Sequence, residues 1–325
     1  MSQPVPYDLE RPDVPPAEEI AALASRAAAA DGDPPFSDQT LVDLRAGRDG
    51  RVRTVLARAR GGELLGAAVG VPEPDGARLV ELVVSPGHRG AGIGAALAGA
   101  VAGETTGTVR AWAHGGHPAA AALAARHGLS PVRDLHRLLR PLRGAADLPL
   151  PERMPAGFRL RAFEPGRDEQ EWLRVNAAAF AGHPEQGRMT LDDLRQREAE
   201  AWFDPAGFLL AVRADAPGTV AGFHWTKVHP GDAGRAPLGE VYAVGVAPGH
   251  QGTGLGRALT AAGVNHLARQ GLDEVMLYVD GDNTAALRLY EALGFRPWHL
   301  DVMYAGTLPA TARPGPAGND QTGPR

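Results

Sequence analysis

The sequence predicts an α/β chain of the α+β kind, made of two tandem copies of one strand-and-helix domain. Three observations carry this. From Leu238, the segment LGEVYAVGVAPGHQGTGLGR runs from an apolar, β-branched stretch through a glycine-dense turn into helical spacing at Ala258, Leu259, Ala261, Ala262 and Leu267. A turn of the same design, Arg89-Gly90-Ala91-Gly92-Ile93-Gly94, follows the apolar run at 77–84. Arg89 and Gln251 stand 162 positions apart, about half of the 325-residue chain, and the patterns around them recur in the same order.

Taken from the start, residues 17–30 read as a helix ending at Asp31-Gly32-Asp33-Pro34, and 37–45 as a second, with Ser37 or Asp38 near its cap. Strands follow at 51–59, 63–71 and 77–84, separated by Gly-Gly and Pro-Asp-Gly turns. The strand at 109–113 matches one at 275–279, and the helix before Gly128-Leu129 matches the helix before Gly294-Phe295. The second copy opens with a strand at 158–163, helices at 169–179 and 191–202, and a hairpin from 208–213 and 220–228. The expected division is an N-terminal domain over 1–142, a Pro-containing linker over 143–157, a C-terminal domain over 158–306 and a disordered tail over 307–325.

Composition narrows the function classes. A formal charge of -5 argues against nucleic acid as the main partner, because phosphate binding needs concentrated positive charge, and a small cationic substrate fits better. With no cysteine, disulfides, thiolate metal sites and cysteine nucleophiles are excluded, and a reducing cytoplasm is the expected location. The N-terminal residues lack the basic start and apolar core of a signal peptide, and the small-apolar run at 93–102 is too short to span a bilayer. A cytoplasmic monomer is expected.

A helix that begins on glycines leaves its first N–H groups without partners at the positive end of its dipole, which makes an anion site. With no Cβ at Gly252, Gly254 and Gly256, a diphosphate reaches the backbone closely. The turn lacks the Gly-Lys-Ser/Thr ending of a P-loop, and it has no GxGxxG with an acidic partner downstream. The pattern Gln251-x-x-Gly254-x-Gly256 resembles the Q/R-x-x-G-x-G/A acyl-CoA loop of the GNAT N-acetyltransferase superfamily. Asn283-x-x-Ala286-x-x-x-Tyr290-x-x-x-Gly294-Phe295 is similar to the second half of that signature.

The resemblance implies, in each copy, a central mixed and mostly antiparallel sheet flanked by helices, and acetyl-CoA as co-substrate. The cofactor contacts it implies are Val244, Gly245 and Val246; Gln251, Gly252, Thr253, Gly254, Leu255, Gly256 and Arg257; and Asn283, Thr284, Ala285, Ala286, Leu287 and Arg288. A second acetyl-CoA in the first copy would use Leu82, Val83 and Val84 with Arg89, Gly90, Ala91, Gly92, Ile93, Gly94 and Ala95, without being turned over.

Acetyl transfer from a thioester to an amine needs a neutral amine, a polarised carbonyl and a proton for the leaving thiolate. Glu240, at the start of a strand, is the candidate general base, and Tyr290, on a helix, the candidate general acid. Backbone N–H groups around Val244 to Val246 are the candidates to hold the thioester oxygen. Aligning the copies puts Arg78 opposite Glu240, Ala124 opposite Tyr290 and His117 opposite Asn283, so the second copy is the one equipped for chemistry. The spacing of His114, His117 and His127 matches no common metal site, and no metal is expected. His224 and His229 flank Trp225 as packing or substrate-lining residues.

His183-Pro184-Glu185-Gln186-Gly187, Gly222-Phe223-His224-Trp225-Thr226-Lys227, Gly239-Glu240-Val241-Tyr242 and Leu277-Tyr278-Val279 are similar to a narrower family of tandem-domain GNAT enzymes over nearly the whole chain. That family acetylates the cysteine amine of a cysteinyl-glucosaminyl-inositol. Its substrate contacts fall here on Asp38, Glu185, Lys227, Glu240 and Tyr278. Asp38 is shorter than the Glu more often found at its place in that family. Two other readings share the superfamily motifs: acetylation of another small amine such as an aminoglycoside or polyamine, and a non-enzymatic acetyl-CoA sensor.

Overall fold

The structure is a computed structural model, and it describes residues 5–46, 52–182, 186–231 and 236–308. The chain divides into two compact units: unit 1 comprises Met1–Asp134 and Leu300–Arg325, and unit 2 Leu135–His299.

Unit 1 runs β1 (Tyr7–Glu10), α1 (Ala17–Asp31), α2 (Asp38–Ala46), β2 (Arg53–Ala59), β3 (Leu64–Pro72), β4 (Arg78–Val84), α3 (Ile93–Glu104), β5 (Gly107–Ala113), α4 (Pro118–Arg126) and the first residues of β6 (Ser130–Pro141). Unit 2 takes the rest of β6, then β7 (Phe158–Ala162), α5 (Glu169–Ala179), α6 (Leu191–Glu198), β8 (Phe208–Arg213), β9 (Val220–His229), β10 (Leu238–Val246), α7 (Leu255–Arg269), β11 (Glu274–Asp280), α8 (Thr284–Ala292) and the start of β12 (Arg296–Leu308). The remainder of β12 belongs to unit 1.

In unit 1 the strand order is β1-β2-β3-β4-β5-β12, and in unit 2 it is β6-β11-β10-β9-β8-β7. Pairing is antiparallel except for β4 with β5 and β10 with β11, so both sheets are mixed and mostly antiparallel. Each parallel pair is short. It covers Arg78, Leu79 and Val80 in unit 1, and Gly239, Glu240 and Val241 in unit 2.

Apolar residues bury both faces of each sheet. In unit 1, Leu56, Val69 and Val83 pack with Ile20 and Leu23 of α1, whereas Val55, Ala57 and Leu65 pack with Ile93 and Leu97 of α3. In unit 2, Phe208, Phe223 and Trp225 pack with Trp172 of α5, and Val241, Val275 and Leu277 with α7 and α8. Strands covered on both sides read as continuous apolar runs rather than as alternation.

Two expected boundaries differ. The passages between units fall inside β6 and β12, not at 142 and 306, because residues 135–141 pair with β11 and 302–308 with β5. The segment expected as a linker is docked on unit 2: Leu150 is buried, and Asn265 accepts the Leu150 N–H at 2.7 Å and donates to its carbonyl at 2.8 Å. Helix α6 stops at Glu198, short of the expected 202. Of the expected tail, Thr307 and Leu308 close β12, and 309–325 lie outside the described residues.

Candidate active site

Strand β10 loses its parallel partner after Val241, where a bulge shifts its register, and continues to Val246 paired with β9. The β11-facing edge of Val244, Gly245 and Val246 is thereby left for another partner. A 3-10 turn at Pro248–His250 leads to Gln251, whose Nε2 donates to the Val246 carbonyl at 3.2 Å. Gly252 and Gly254 have φ of 75° and 89°, a left-handed conformation natural to glycine, and Gly254 caps α7 without any side-chain hydrogen bond. The space above both glycines is open. An uncapped helix N-terminus with clear access from solvent suits a diphosphate.

One face of the unit 2 sheet carries the polar groups. Glu240 is 7% exposed and pairs across the strands with Lys227 on β9 and Met276 on β11. Its Oε2 lies 2.6 Å from Nε2 of His229. The Lys227 ammonium sits 5.0 Å from the ring centre of Trp202 and 5.6 Å from that of Tyr242, and the Tyr242 hydroxyl accepts from Arg197 Nε at 3.0 Å. Tyr278, two residues beyond Met276, is 43% exposed, and the Arg137 guanidinium lies over the rings of Tyr278 and Trp298. A buried carboxylate, a half-buried imidazole, an ammonium and phenols make a surface for a polar, amine-bearing ligand.

Tyr290 lies on α8, within the core that contains Val241, edge-on to Phe295 at 5.8 Å. Burial pushes its phenol well above the usual range, so the hydroxyl keeps its proton throughout the working pH range. Asn283 caps α8 by accepting the Ala286 N–H at 3.1 Å, which places Thr284 to Arg288 on the opening turns of the helix.

Unit 1 repeats the frame with other side chains. Arg89 Nε donates to the Val84 carbonyl at 3.2 Å, Gly90 and Gly92 have φ of 75° and 84°, and His117 caps α4 by accepting the Ala119 N–H. Arg89 is also forked to Asp31 at 2.6 and 2.7 Å, which lowers the Asp31 pKa. Ala124 occupies the place of Tyr290, and unit 1 holds a cavity of about 680 Å³ lined by Leu82, Val83, Val84, Arg89, Gly90, and Gly92 through Ala95.

Unit 1 carries a polar cluster of its own, at positions other than those aligned with Glu240, Asn283 and Tyr290. His114 meets Glu81 Oε1 at 2.8 Å and Asp301 Oδ2 at 3.1 Å, and Asp301 Oδ1 accepts the Gly115 N–H. Burial opposes charge on this imidazole, but the hydrogen bonds and charges of Asp301 and Glu81 outweigh it and raise its pKa to about 9. No sequence spacing flags residues 81, 114 and 301 as neighbours. Among the described residues, no group of three or more His, Asp or Glu side chains is arranged to hold a metal ion, and no helix is long and apolar enough to cross a membrane.

The structure brings Lys227, Glu240 and Tyr278 onto one sheet face, and sets Tyr290 against the other face of the same strands. Asp38 opens α2 of unit 1. Glu185 lies outside the described residues. His229, read from sequence as packing or substrate-lining, is the direct partner of Glu240; a hairpin register pairing Glu240 with Lys227 puts His229 diagonally beside it.

A model of the Acetyltransferase (GNAT) family matches residues 18–129 and 172–295, so the chain belongs to the GNAT acetyltransferases and is an N-acetyltransferase of a family whose members take acetyl from acetyl-CoA. Within that family it belongs to the mycothiol acetyltransferases. It is 60% identical over 301 residues to the Mycothiol acetyltransferase of Kocuria rhizophila, covering 92% of this chain and 97% of that protein. It is 56% identical over 288 residues to the Mycothiol acetyltransferase of Thermobispora bispora, covering 88% and 95%. Among solved structures, a GCN5-related N-acetyltransferase from Sphaerobacter thermophilus is similar, with a TM-score of 0.68 and 28% identity over 94% of this chain and 97% of that one.

Proposed function

We propose that this chain transfers acetyl from acetyl-CoA to the cysteine amine of desacetylmycothiol (Cys-GlcN-Ins), the last step of mycothiol formation, by direct attack in unit 2. The observation that carries the reading is the placement of Glu240: a buried carboxylate on the stretch of β10 that pairs with β11, beside the point where β10 and β11 separate. The diphosphate would lie on the N-terminus of α7, with Gln251 through Arg257 around it. Pantetheine would follow the freed edge of Val244 to Val246, with Asn283 through Arg288 along its other side. Glu240 takes a proton from the ammonium, the amine attacks the thioester carbonyl, backbone N–H groups stabilise the oxyanion, Tyr290 protonates the departing thiolate, and the tyrosinate recovers a proton from the attacking nitrogen as the adduct collapses to the amide.

Lys227 and Tyr278, on the Glu240 face, would hold the hydroxyls of the sugar and cyclitol, with Glu185 as a further contact. The cavity of unit 1 fits a second acetyl-CoA that is held without turnover, since Ala124 supplies no acid. Working as a monomer, the protein needs no metal in this scheme.

The test is mass spectrometry of a mixture of purified protein, acetyl-CoA and desacetylmycothiol, run beside an aminoglycoside and a polyamine. The expected product is desacetylmycothiol plus one acetyl group on nitrogen, formed about 10² to 10⁴ times more slowly by Glu240→Gln. Faster acetylation of the aminoglycoside or the polyamine would overturn the substrate, and acetyl-CoA binding without any product would favour a sensor.

A further inference from the structure

We infer that His229 is a positioning residue for Glu240 and the route by which the proton gathered from the substrate ammonium returns to solvent. The inference rests on Glu240 being the base. Glu240 is 7% exposed, so once protonated it has little direct access to water and must be reset before the next turnover. His229 Nε2 lies 2.6 Å from Glu240 Oε2, and the His229 side chain is 36% exposed, so one imidazole joins the buried carboxylate to bulk water.

The other charged or titratable groups on this sheet face serve less well. Lys227 on β9 is drawn over Trp202 and Tyr242, and Tyr242 on β10 is hydrogen-bonded by Arg197 of α6. Tyr278 on β11 is covered by the guanidinium of Arg137 from β6. Ammonium and guanidinium ions hold their protons at neutral pH, and a phenol exposed to water rests there in its protonated form and takes up no further proton. Imidazole alone accepts and releases a proton between pH 5 and 8.

The step balances. The Glu240 carboxylate removes one N–H proton from the ammonium, leaving the nitrogen lone pair free to attack. Exchange with solvent takes neutral His229 to its Nδ1–H tautomer, whose Nε2 lone pair accepts the proton of the resulting carboxyl O–H, and the imidazolium then loses its Nδ1 proton to water or buffer. Carboxylate and neutral imidazole are restored. In the resting state the same contact, with Nε2–H donating, fixes one carboxylate oxygen and leaves the other for the amine.

Three variants separate the roles. His229→Gln keeps a hydrogen-bond donor for Glu240 but carries no proton, His229→Ala removes both functions, and Glu240→Gln reports on the base itself. With melting curves as the folding control, His229→Gln is expected to lower kcat about 10- to 100-fold with KM for the amine within about twofold, and to lose one ionisation from the pH profile of kcat. Imidazole added to the buffer is expected to raise turnover by His229→Ala and not by the parent protein. A His229→Gln enzyme with parental kcat and pH profile, or a His229→Ala enzyme indifferent to imidazole, overturns the proton route, whereas an inactive Glu240→Gln in the same experiment leaves the base standing. Full activity of Glu240→Gln would instead remove the base, and this inference with it.

Discussion

Gln251 turns its side-chain amide back onto the strand it follows, donating from Nε2 to the carbonyl of Val246 at 3.2 Å. In the other copy Arg89 makes the same return to Val84 at the same distance. Each contact ties the turn to the strand end and holds two left-handed glycines at the mouth of a helix. The N–H groups of that helix then point to one place.

That geometry makes Gly254 the sensitive position of the turn. At φ of 89° a Cβ is strained even though the space above it is open, and the cost is about 1–3 kcal/mol. Gly254→Ala is expected to lower the melting temperature and, by moving the first N–H groups of α7, to raise KM for acetyl-CoA about tenfold, which is about 1.4 kcal/mol of binding. Steady-state kinetics with calorimetry checks both. A destabilised variant with parental KM would place the diphosphate elsewhere.

Tyr290→Phe tests the acid. The ring packs against Phe295 in the core, so removing one oxygen preserves packing. Turnover is expected to fall about 10- to 100-fold with KM for both substrates little changed, the pattern of a group that acts in the transition state. Burial keeps the phenol protonated to high pH, so in the parent enzyme no loss of rate below pH 9 is assigned to its ionisation. Parental kcat in the Phe variant would remove Tyr290 from the chemistry.

The cavity of unit 1 is tested by Gly92→Glu, which puts a carboxylate at the mouth of α3, where an anion would lie. Titration calorimetry is expected to lose one acetyl-CoA binding event, while turnover stays within about twofold because the proposed catalytic groups lie in unit 2. A folded variant without turnover would show that unit 1 contributes to the reaction.

The duplicated frame was legible because it is written locally. Glycines in the turns, apolar strands before them and the helix-capping positions His117 and Asn283 each leave a mark within a few residues. Sheet membership is not local: nothing in the periodicity of 130–141 or 296–308 says which unit a strand completes, and the passages between units lie within both strands, ahead of the expected boundaries. Prolines at 149, 151 and 155 read as a linker, yet Leu150 is held by Asn265, a residue 115 positions away. Likewise Glu81, His114 and Asp301 come together only through the fold, and the His229 contact needs the register of a hairpin whose loop length gave no guide.

A partly buried and a fully buried histidine give stability opposite pH dependences. His114 has its folded-state pKa raised from about 6.5 to about 9, so its stabilisation is complete below about pH 6.5 and is lost as pH rises through about 9. His224 is fully buried, and burial, with a smaller effect of His266, lowers its pKa to about 3; the protein must keep it neutral. Unfolding then takes up a proton between about pH 6.5 and 3, so stability falls as pH drops through that window. Chemical denaturation across pH is expected to show His114→Gln flattening the alkaline side and His224→Leu the acid side. Unchanged slopes in either variant would assign that limb to other groups.

The same His224 decides the sign of a substitution that helix propensity gets wrong. Gly263 lies inside α7, where alanine is ordinarily favoured over glycine by about 1 kcal/mol. Here a Cβ on residue 263 would stand 2.0 Å from His224 Nε2 and 2.3 Å from its Cδ2, within a ring that is fully buried and has no free direction in which to retreat. Overpacking of this kind costs about 1–3 kcal/mol, which exceeds the propensity gain. Gly263→Ala is therefore expected to be destabilising. The double variant Gly263→Ala with His224→Ala is expected to regain stability relative to the sum of the two single effects, since the ring that the methyl group strikes is gone. Additive losses in that cycle would mean that Gly263 is required by the helix itself and not by the imidazole beside it.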